Sequence, residues 1–309
     1  MRIVLLCATQ RGYRFLHKLN ELAPEIEPIV FSFSEDPWEP RYMEDIRELT
    51  LTSGGQFFET KHVGSRRWAQ FWESTPVDLM FVVSWRFMIP AYVYRRPKLG
   101  TFVFHDSLLP EYRGFSPTVW SIINGEDHTG VSVFEIADGV DEGDIVAQNC
   151  VHIGPDDTIA VIIERVTQTY LDLLEHNFSN LMNGDAQRYP QDHSLATYTC
   201  KRLPEDNLIN WSAPTESIYN LIRAVTKPYP GAYTCLGGRK IQIWSAKRIS
   251  NARQYIGRVP GRVVEIRAKE GAVVLTGDGC LLITQLQLEG GKVLSGDLVL
   301  NSLSLTLGR

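Results

Sequence analysis

The chain has 309 residues, 44% hydrophobic and 22% charged, and its formal net charge is −5 at pH 7. That composition excludes disorder as the main state, and the length favours one large domain with a sizeable core plus one small domain. An acidic balance of this kind lacks the global footprint of a nucleic-acid binder, although a local basic patch is compatible with it.

Residues 2–8 read as a first buried strand, since the apolar run is too short for a signal segment. A helical pattern follows over residues 13–22, with Phe15, Leu16, Leu19 and Leu22 at helix spacing. Residues 26–33 read as the next strand. The acidic, proline-bounded loop Glu35-Asp36-Pro37-Trp38-Glu39-Pro40 comes after it and reads, with Glu44 and Asp45, as a solvated face. A helix over 42–51, a short strand at Phe57-Phe58 and a helix over 66–73 with Trp68 and Trp72 in the core precede a fully apolar strand at 79–84. Strands alternating with helices at this spacing predict an α/β fold with a mostly parallel sheet covered on both faces. Ligands in such sheets sit beyond the carboxyl ends of the strands. No Gly-x-Gly-x-x-Gly follows the first strand, where Ala8-Thr9-Gln10-Arg11-Gly12 stands instead, so a dinucleotide is not expected.

Thr101–His105 and residues 145–151 read as further strands, and residues 158–181 as a long amphipathic helix. The polar, aperiodic stretch 184–207 reads as a linker. A short helix over 218–225 leads into alternating strands at 240–244, 261–267, 272–276 and 280–288, punctuated by glycines. These predict a small antiparallel barrel. The longest apolar runs are far below the length of a bilayer span. Five scattered cysteines without a Cys-x-x-Cys fit a cytoplasmic location rather than a disulfide framework, and no histidine has metal-ligand spacing.

The run His105-Asp106-Ser107-Leu108-Leu109-Pro110-Glu111-Tyr112-Arg113-Gly114-Phe115-Ser116-Pro117 closely resembles the signature of folate-dependent formyltransferases. The likeness continues through Thr129-Gly130-Val131-Ser132-Val133 and Asp138-Gly139-Val140-Asp141-Glu142-Gly143-Asp144-Ile145. It extends to Ile209-Asn210-Trp211 and to Arg223-Ala224-Val225-Thr226-Lys227-Pro228-Tyr229-Pro230-Gly231-Ala232, a junction typical of two-domain members. The resemblance implies a Rossmann-like formyltransferase fold over residues 1–200, then a linker and an OB-like β-barrel over residues 201–309. It implies 10-formyltetrahydrofolate as formyl donor.

Formyl transfer to an amine passes through a tetrahedral oxyanion. It needs an oxyanion donor, an acceptor for the amine proton and a carboxylate beside the histidine. The family uses an Asn, a His and an Asp, and the last two match His105 and Asp141. The resemblance further implies folate contacts from Trp85, Met88, Ile89, Leu108, Leu109, Pro110, Asp138 and Val140, and substrate contacts from Ser107, Arg113 and Gly114. The family Asn position holds Val103, which offers no side-chain hydrogen bond. Losing one oxyanion donor costs about 2.7–4 kcal/mol. Another donor, an altered chemistry, or a weak or non-catalytic folate- or nucleotide-sugar-binding site are the readings this substitution leaves.

For the acceptor, tRNA formyltransferases carry a basic insertion after the second strand, because phosphate neutralisation supplies nucleic-acid affinity. The loop here is acidic, which disfavours nucleic acid. Single-domain ribonucleotide formyltransferases lack the C-terminal domain. The resemblance therefore points to a nucleotide-linked amino sugar, as in the lipopolysaccharide-related enzymes that modify UDP-4-amino-arabinose, with methionyl-tRNA as the alternative. No membrane partner is expected, and the sequence is compatible with a homodimer.

Overall fold

Residues 3–7, Ile-Val-Leu-Leu-Cys, have no polar side chain to turn toward water, and all five are buried as strand β1 (Ile3–Cys7). The computed structural model describes all 309 residues. From β1 the chain alternates through α1 (Thr9–Leu22), β2 (Ile29–Ser32), α2 (Met43–Thr52), β3 (Gln56–Glu59), α3 (Arg66–Ser74), β4 (Leu79–Val83), α4 (Ala91–Tyr94) and β5 (Thr101–His105). It continues with β6 (Arg113–Gly114), α5 (Pro117–Asn124), β7 (His128–Glu135), β8 (Ile145–His152) and α6 (Ile159–Asn183). Two compact units result. The first comprises Met1–Pro117, Thr129–His152 and Glu164–Cys200; the second comprises Thr118–His128, Ile153–Ile163 and Lys201–Arg309. The second unit thus takes in two short stretches from within the first two hundred residues.

The first unit is built on a sheet in the order β3-β2-β1-β4-β5-β7-β8. Strands β1 to β5 are parallel, and β7 joins β5 antiparallel with His105 opposite Ser132. The chain steps outward from β1 to β2 and β3, then returns to β4 on the other side of β1. That reversal opens a crevice at the carboxyl ends of the strands. Backbone at this end is bent: Thr9 after β1 and Ser84 after β4 both have left-handed φ, at 66° and 54°. One face of the sheet packs Trp68 and Trp72 of α3 against Phe31, with ring centroids 5.1 and 5.4 Å apart. Burying two indoles one helical turn apart fixes α3, and the Trp72 indole donates to the Val63 carbonyl at 2.7 Å.

The stretch read as a linker does not behave as one over most of its length. A 3-10 turn forms at His193–Leu195, and β9 (Tyr198–Thr199) pairs in parallel with β6. Arg188 and Gln191 bond to protein groups, although much of the stretch is exposed, and neither helix nor strand periodicity marks it. The acidic loop also departs from a purely solvated face. The Glu39 carboxylate is only 9% exposed and accepts from the Arg86 guanidinium at 2.8 Å.

The second unit contains α7 (Thr215–Val225), β10 (Ala232–Leu236), β11 (Arg239–Arg248), β12 (Val263–Arg267), β13 (Gly271–Leu275), β14 (Cys280–Leu288), β15 (Val293–Ser295) and α8 (Gly296–Val299). The strands form one antiparallel sheet in the order β10-β11-β14-β13-β12, with β15 on β14. Trp211 is buried inside this unit, and its indole donates to Thr234 on β10 at 2.9 Å. No helix of the protein is long and apolar enough to cross a membrane.

Candidate active site

His105 is the last residue of β5, where an open α/β sheet exposes side chains to the crevice. The ring is 8% exposed. Its Nε2 lies 2.9 Å from the Tyr112 carbonyl, which can only accept, so the hydrogen-bond network assigns the Nε2–H tautomer. In the neutral ring Nδ1 is then the nitrogen without a proton, and it faces Asp141 Oδ2 at 3.7 Å.

Asp141 is held from three directions. Its Oδ2 accepts the Gly114 backbone N–H at 2.8 Å, its carbonyl accepts from the Gln191 amide at 2.8 Å, and its backbone is left-handed with φ 50°. That conformation is unusual for a residue with a side chain, although Asp tolerates it better than most. Two glycines are required nearby. A Cβ on Gly114 would stand 2.7 Å from the Thr199 carbonyl oxygen, and one on Gly143 would stand 1.6 Å from that of Glu135.

The segment after His105 is buttressed from inside. Ser107 donates to the Glu111 carbonyl at 2.7 Å, and the Ser132 hydroxyl donates to the Ser107 carbonyl at 2.6 Å. Gln148 donates to the Leu109 carbonyl at 2.9 Å. Ser107 and Leu109 are buried, while Leu108 and Pro110 are partly exposed and Leu108 fills the space left by Gly130. Arg113 is 1% exposed. Its guanidinium bonds Gln191 Oε1 at 2.6 Å and the Tyr198 hydroxyl at 3.1 Å, with His193 Nδ1 at 3.0 Å. Arg113 and Ser107 therefore hold the loop in this structure, and Gly114 offers its N–H to Asp141 rather than to solvent.

A second buried network lies directly behind His105. Asp106 accepts from Arg11 through both carboxylate oxygens, at 2.7 and 2.8 Å, and from the Tyr170 hydroxyl, which also reaches the Phe104 carbonyl at 2.8 Å. Burial alone would raise the Asp106 carboxyl. The Arg11 charge and the hydrogen bonds from Tyr170 and Arg11 outweigh burial and hold it below the usual carboxylate range. Burial pushes the Tyr170 hydroxyl well up, so it stays a donor. The position of Asp106 beside His105, and an arginine in the first turn of α1, are the signals in the sequence for this network.

Across the crevice, the loop after β4 presents mixed surfaces. Met88 is 82% exposed, Ile89 is buried, and Trp85 packs edge-on against Phe33 and Phe87 at 5.4 and 5.8 Å. The buried Trp85 indole N–H has no hydrogen-bond partner. Val140 is exposed, and Asp138 is anchored to α4 by Tyr94 and by Arg95 at 2.7 Å. The Tyr94 hydrogen bond first, then the Arg95 charge, hold the Asp138 carboxyl below its ordinary range. Val103 sits two residues before His105 and on the same face of β5, between Val82 of β4 and Phe134 of β7. It packs against the cluster that contains Trp68 and Trp72, as Trp85 does.

The family model described as formyl transferase matches residues 20–175, and that described as formyl transferase, C-terminal domain, matches residues 202–304. Among solved structures, HypX from Aquifex aeolicus in complex with tetrahydrofolic acid is 20% identical, with a TM-score of 0.60 over 97% of this chain. This chain spans 47% of that protein, about half its length. The N-formyltransferase from Helicobacter canadensis in complex with folinic acid and dTDP-3-aminofucose is 17% identical, with a TM-score of 0.68 over 91% of this chain and 97% of that one. Methionyl-tRNA formyltransferase from Clostridium thermocellum is 18% identical, with a TM-score of 0.59 over 81% of this chain and 94% of that one. These likenesses carry the fold. With the first model spanning half of the sequence and the second most of the rest, the chain belongs to the formyl transferase family.

Proposed function

We propose that this protein is an N-formyltransferase that moves a formyl group from 10-formyltetrahydrofolate to the amine of a nucleotide-linked amino sugar. The observation that carries the reading is the pair His105 and Asp141, 3.7 Å apart at the carboxyl end of β5. The amine nitrogen attacks the formyl carbon, and its proton passes to His105 Nδ1, the acceptor nitrogen of the neutral ring whose Nε2–H meets the Tyr112 carbonyl. The imidazolium so formed faces the Asp141 carboxylate, which stabilises it. Collapse of the tetrahedral oxyanion breaks the bond to folate N10. N10 takes the proton from His105 and leaves as tetrahydrofolate, so atoms and charge balance.

A flat pterin suits the surfaces across the crevice. Met88 and Val140 are exposed apolar side chains, and Leu108 and Pro110 are partly exposed. The similar folds with tetrahydrofolic acid or folinic acid bound support the same donor class. The N-formyltransferase that binds dTDP-3-aminofucose supports the acceptor class.

One observation favours methionyl-tRNA as a second reading. Residues 201–309 carry fifteen Lys and Arg against eight Asp and Glu, while residues 1–200 carry sixteen against twenty-eight. In the second unit Lys240 lies 4.1 Å over the Tyr233 ring and Lys227 5.4 Å over that of Trp244. Lysines beside partly exposed aromatics are suited to nucleic acid. Mass spectrometry of dTDP- and UDP-linked amino sugars and of methionyl-tRNA, each incubated with enzyme and 10-formyltetrahydrofolate, separates the two. Gain of one formyl group by a sugar supports the first reading. Formylation of methionyl-tRNA alone replaces it with the second, and no product from any amine sinks both.

A further inference from the structure

We infer that Gln191 is a positioning residue for the His105–Asp141 pair, acting through a buried chain that runs from Arg113 to the backbone of Asp141. Its kinetic consequence rests on the N-formyltransferase reading; its geometry does not.

Gln191 is 6% exposed and uses all of its amide. Nε2 donates to the Asp141 carbonyl at 2.8 Å and to the Gly143 carbonyl at 2.7 Å. Oε1 accepts from Arg113 Nε at 3.2 Å and Nη2 at 2.6 Å. The amide can take no other orientation, because a flip would set its oxygen against two carbonyls and its nitrogen against a guanidinium. Both carbonyls it holds belong to the loop that carries Asp141, on either side of Glu142. Glu142 itself lies 3.8 Å from Arg113. Asp141 has left-handed backbone, a conformation that persists only where surrounding contacts over-determine it. The carboxylate is aimed at His105 by the Gly114 N–H, and Gly114 adjoins the same Arg113. One buried amide therefore ties the strained backbone of Asp141 to the strand that aims its side chain.

Removing the two donors of Gln191 frees the Asp141 loop, while the carboxylate can still be deprotonated and the substrates can still bind. Displacement of about 1 Å at a reacting group lowers turnover by about 10²-fold. Gln191→Glu is a sharp test, because it is close to isosteric and keeps an acceptor for Arg113, while it replaces the donors to Asp141 and Gly143 with a charged oxygen that repels both carbonyls. The expected result is a kcat lower by roughly 10- to 100-fold, with KM for folate and acceptor within about twofold. The Gly114 amide, whose acceptor is Asp141 Oδ2, is expected to exchange its hydrogen at least about tenfold faster. In an Asp141→Asn background, Gln191→Glu is expected to change kcat less than about twofold.

An unchanged Gly114 exchange rate overturns the inference, as does an equal kcat loss with and without the Asp141 carboxylate. Where Gln191→Glu fails to fold, Gln191→Asn keeps both amide groups one methylene short and carries the same readouts. A wild-type enzyme that formylates no amine overturns the functional reading, and the Gly114 exchange rate then decides the role of Gln191 by itself.

Discussion

Substituting Val103 by Asn introduces the side-chain type that the resemblance to formyltransferases implies two residues before His105, and the structure sets the size of both effects. Val103 and His105 leave the same face of β5, roughly 6–7 Å apart along the strand. An amide at 103 is thus within a side chain's reach of the space in front of the imidazole. One well-placed oxyanion donor contributes about 2.7–4 kcal/mol, so kcat is expected to rise, by up to roughly 10²-fold. The opposing term is burial. Val103 packs between Val82 and Phe134 but is partly exposed, so water remains available to the amide. The stability cost falls at the low end of about 1–3 kcal/mol. For a unit of this size that lowers the melting temperature by roughly 2–4 °C per kcal/mol. Single-turnover formyl transfer measures the gain, and calorimetry measures the cost. A variant that melts within these limits, binds a folate analogue like the wild type and transfers no faster refutes the missing-donor account. It points instead to a site rebuilt around valine.

Three other substitutions probe the rest of the assembly. His105→Ala and Asp141→Asn are each expected to remove most turnover without loss of folding, and the double variant to lose little more than the worse single; additive losses in steady-state kinetics contradict a pair that works as a unit. Arg113→Ala strips the donors from Gln191, Tyr198 and His193 in a site that is 1% exposed, and urea denaturation is expected to record a loss of roughly 3 kcal/mol or more. Asp106 has its carboxyl lowered in the folded state, so it stabilises the fold above its unfolded value near about 4, and that contribution is lost as pH falls through the folded value. Asp106→Asn is therefore expected to flatten the acid limb of the stability curve below about pH 4, and an acid limb as steep as the wild type's contradicts the assignment.

Much of the sheet was legible because buried parallel strands leave continuous apolar runs, as in Ile3–Cys7 and Leu79–Val83, and because Trp68 and Trp72 recur at helix spacing. Strand β7 was harder to read, since its residues Thr129-Gly130-Val131-Ser132-Val133 mix polar and apolar side chains that are all buried. The polar groups there, such as Ser132, bond to the loop after His105, so no alternation marks the strand. The same cause hid Gln191. It lies in a polar, proline-containing stretch that carries no period, and its environment is fixed by Arg113 from a strand far away in sequence. Arg113 in turn looks like a substrate contact beside a catalytic motif, and only burial distinguishes a guanidinium that holds a loop from one that holds a ligand. Net charge carries less information than its distribution: the acidic total conceals an excess of Lys and Arg over residues 201–309, because the sum discards position. His105 and Asp141 were legible through their motifs, yet their separation and the tautomer of the imidazole depend on the Tyr112 carbonyl and the Gly114 amide, and backbone groups leave no trace in residue types.

The most direct test of the account follows the carbon that is moved. 10-Formyltetrahydrofolate labelled at the formyl carbon is mixed with the enzyme and a dTDP-linked amino sugar, and the label is tracked by carbon NMR. A new formamide resonance on the sugar is expected, formed as tetrahydrofolate accumulates in equal amount, and absent with His105→Ala. Label that stays on folate, or is released as formate while the sugar amine remains free, contradicts it.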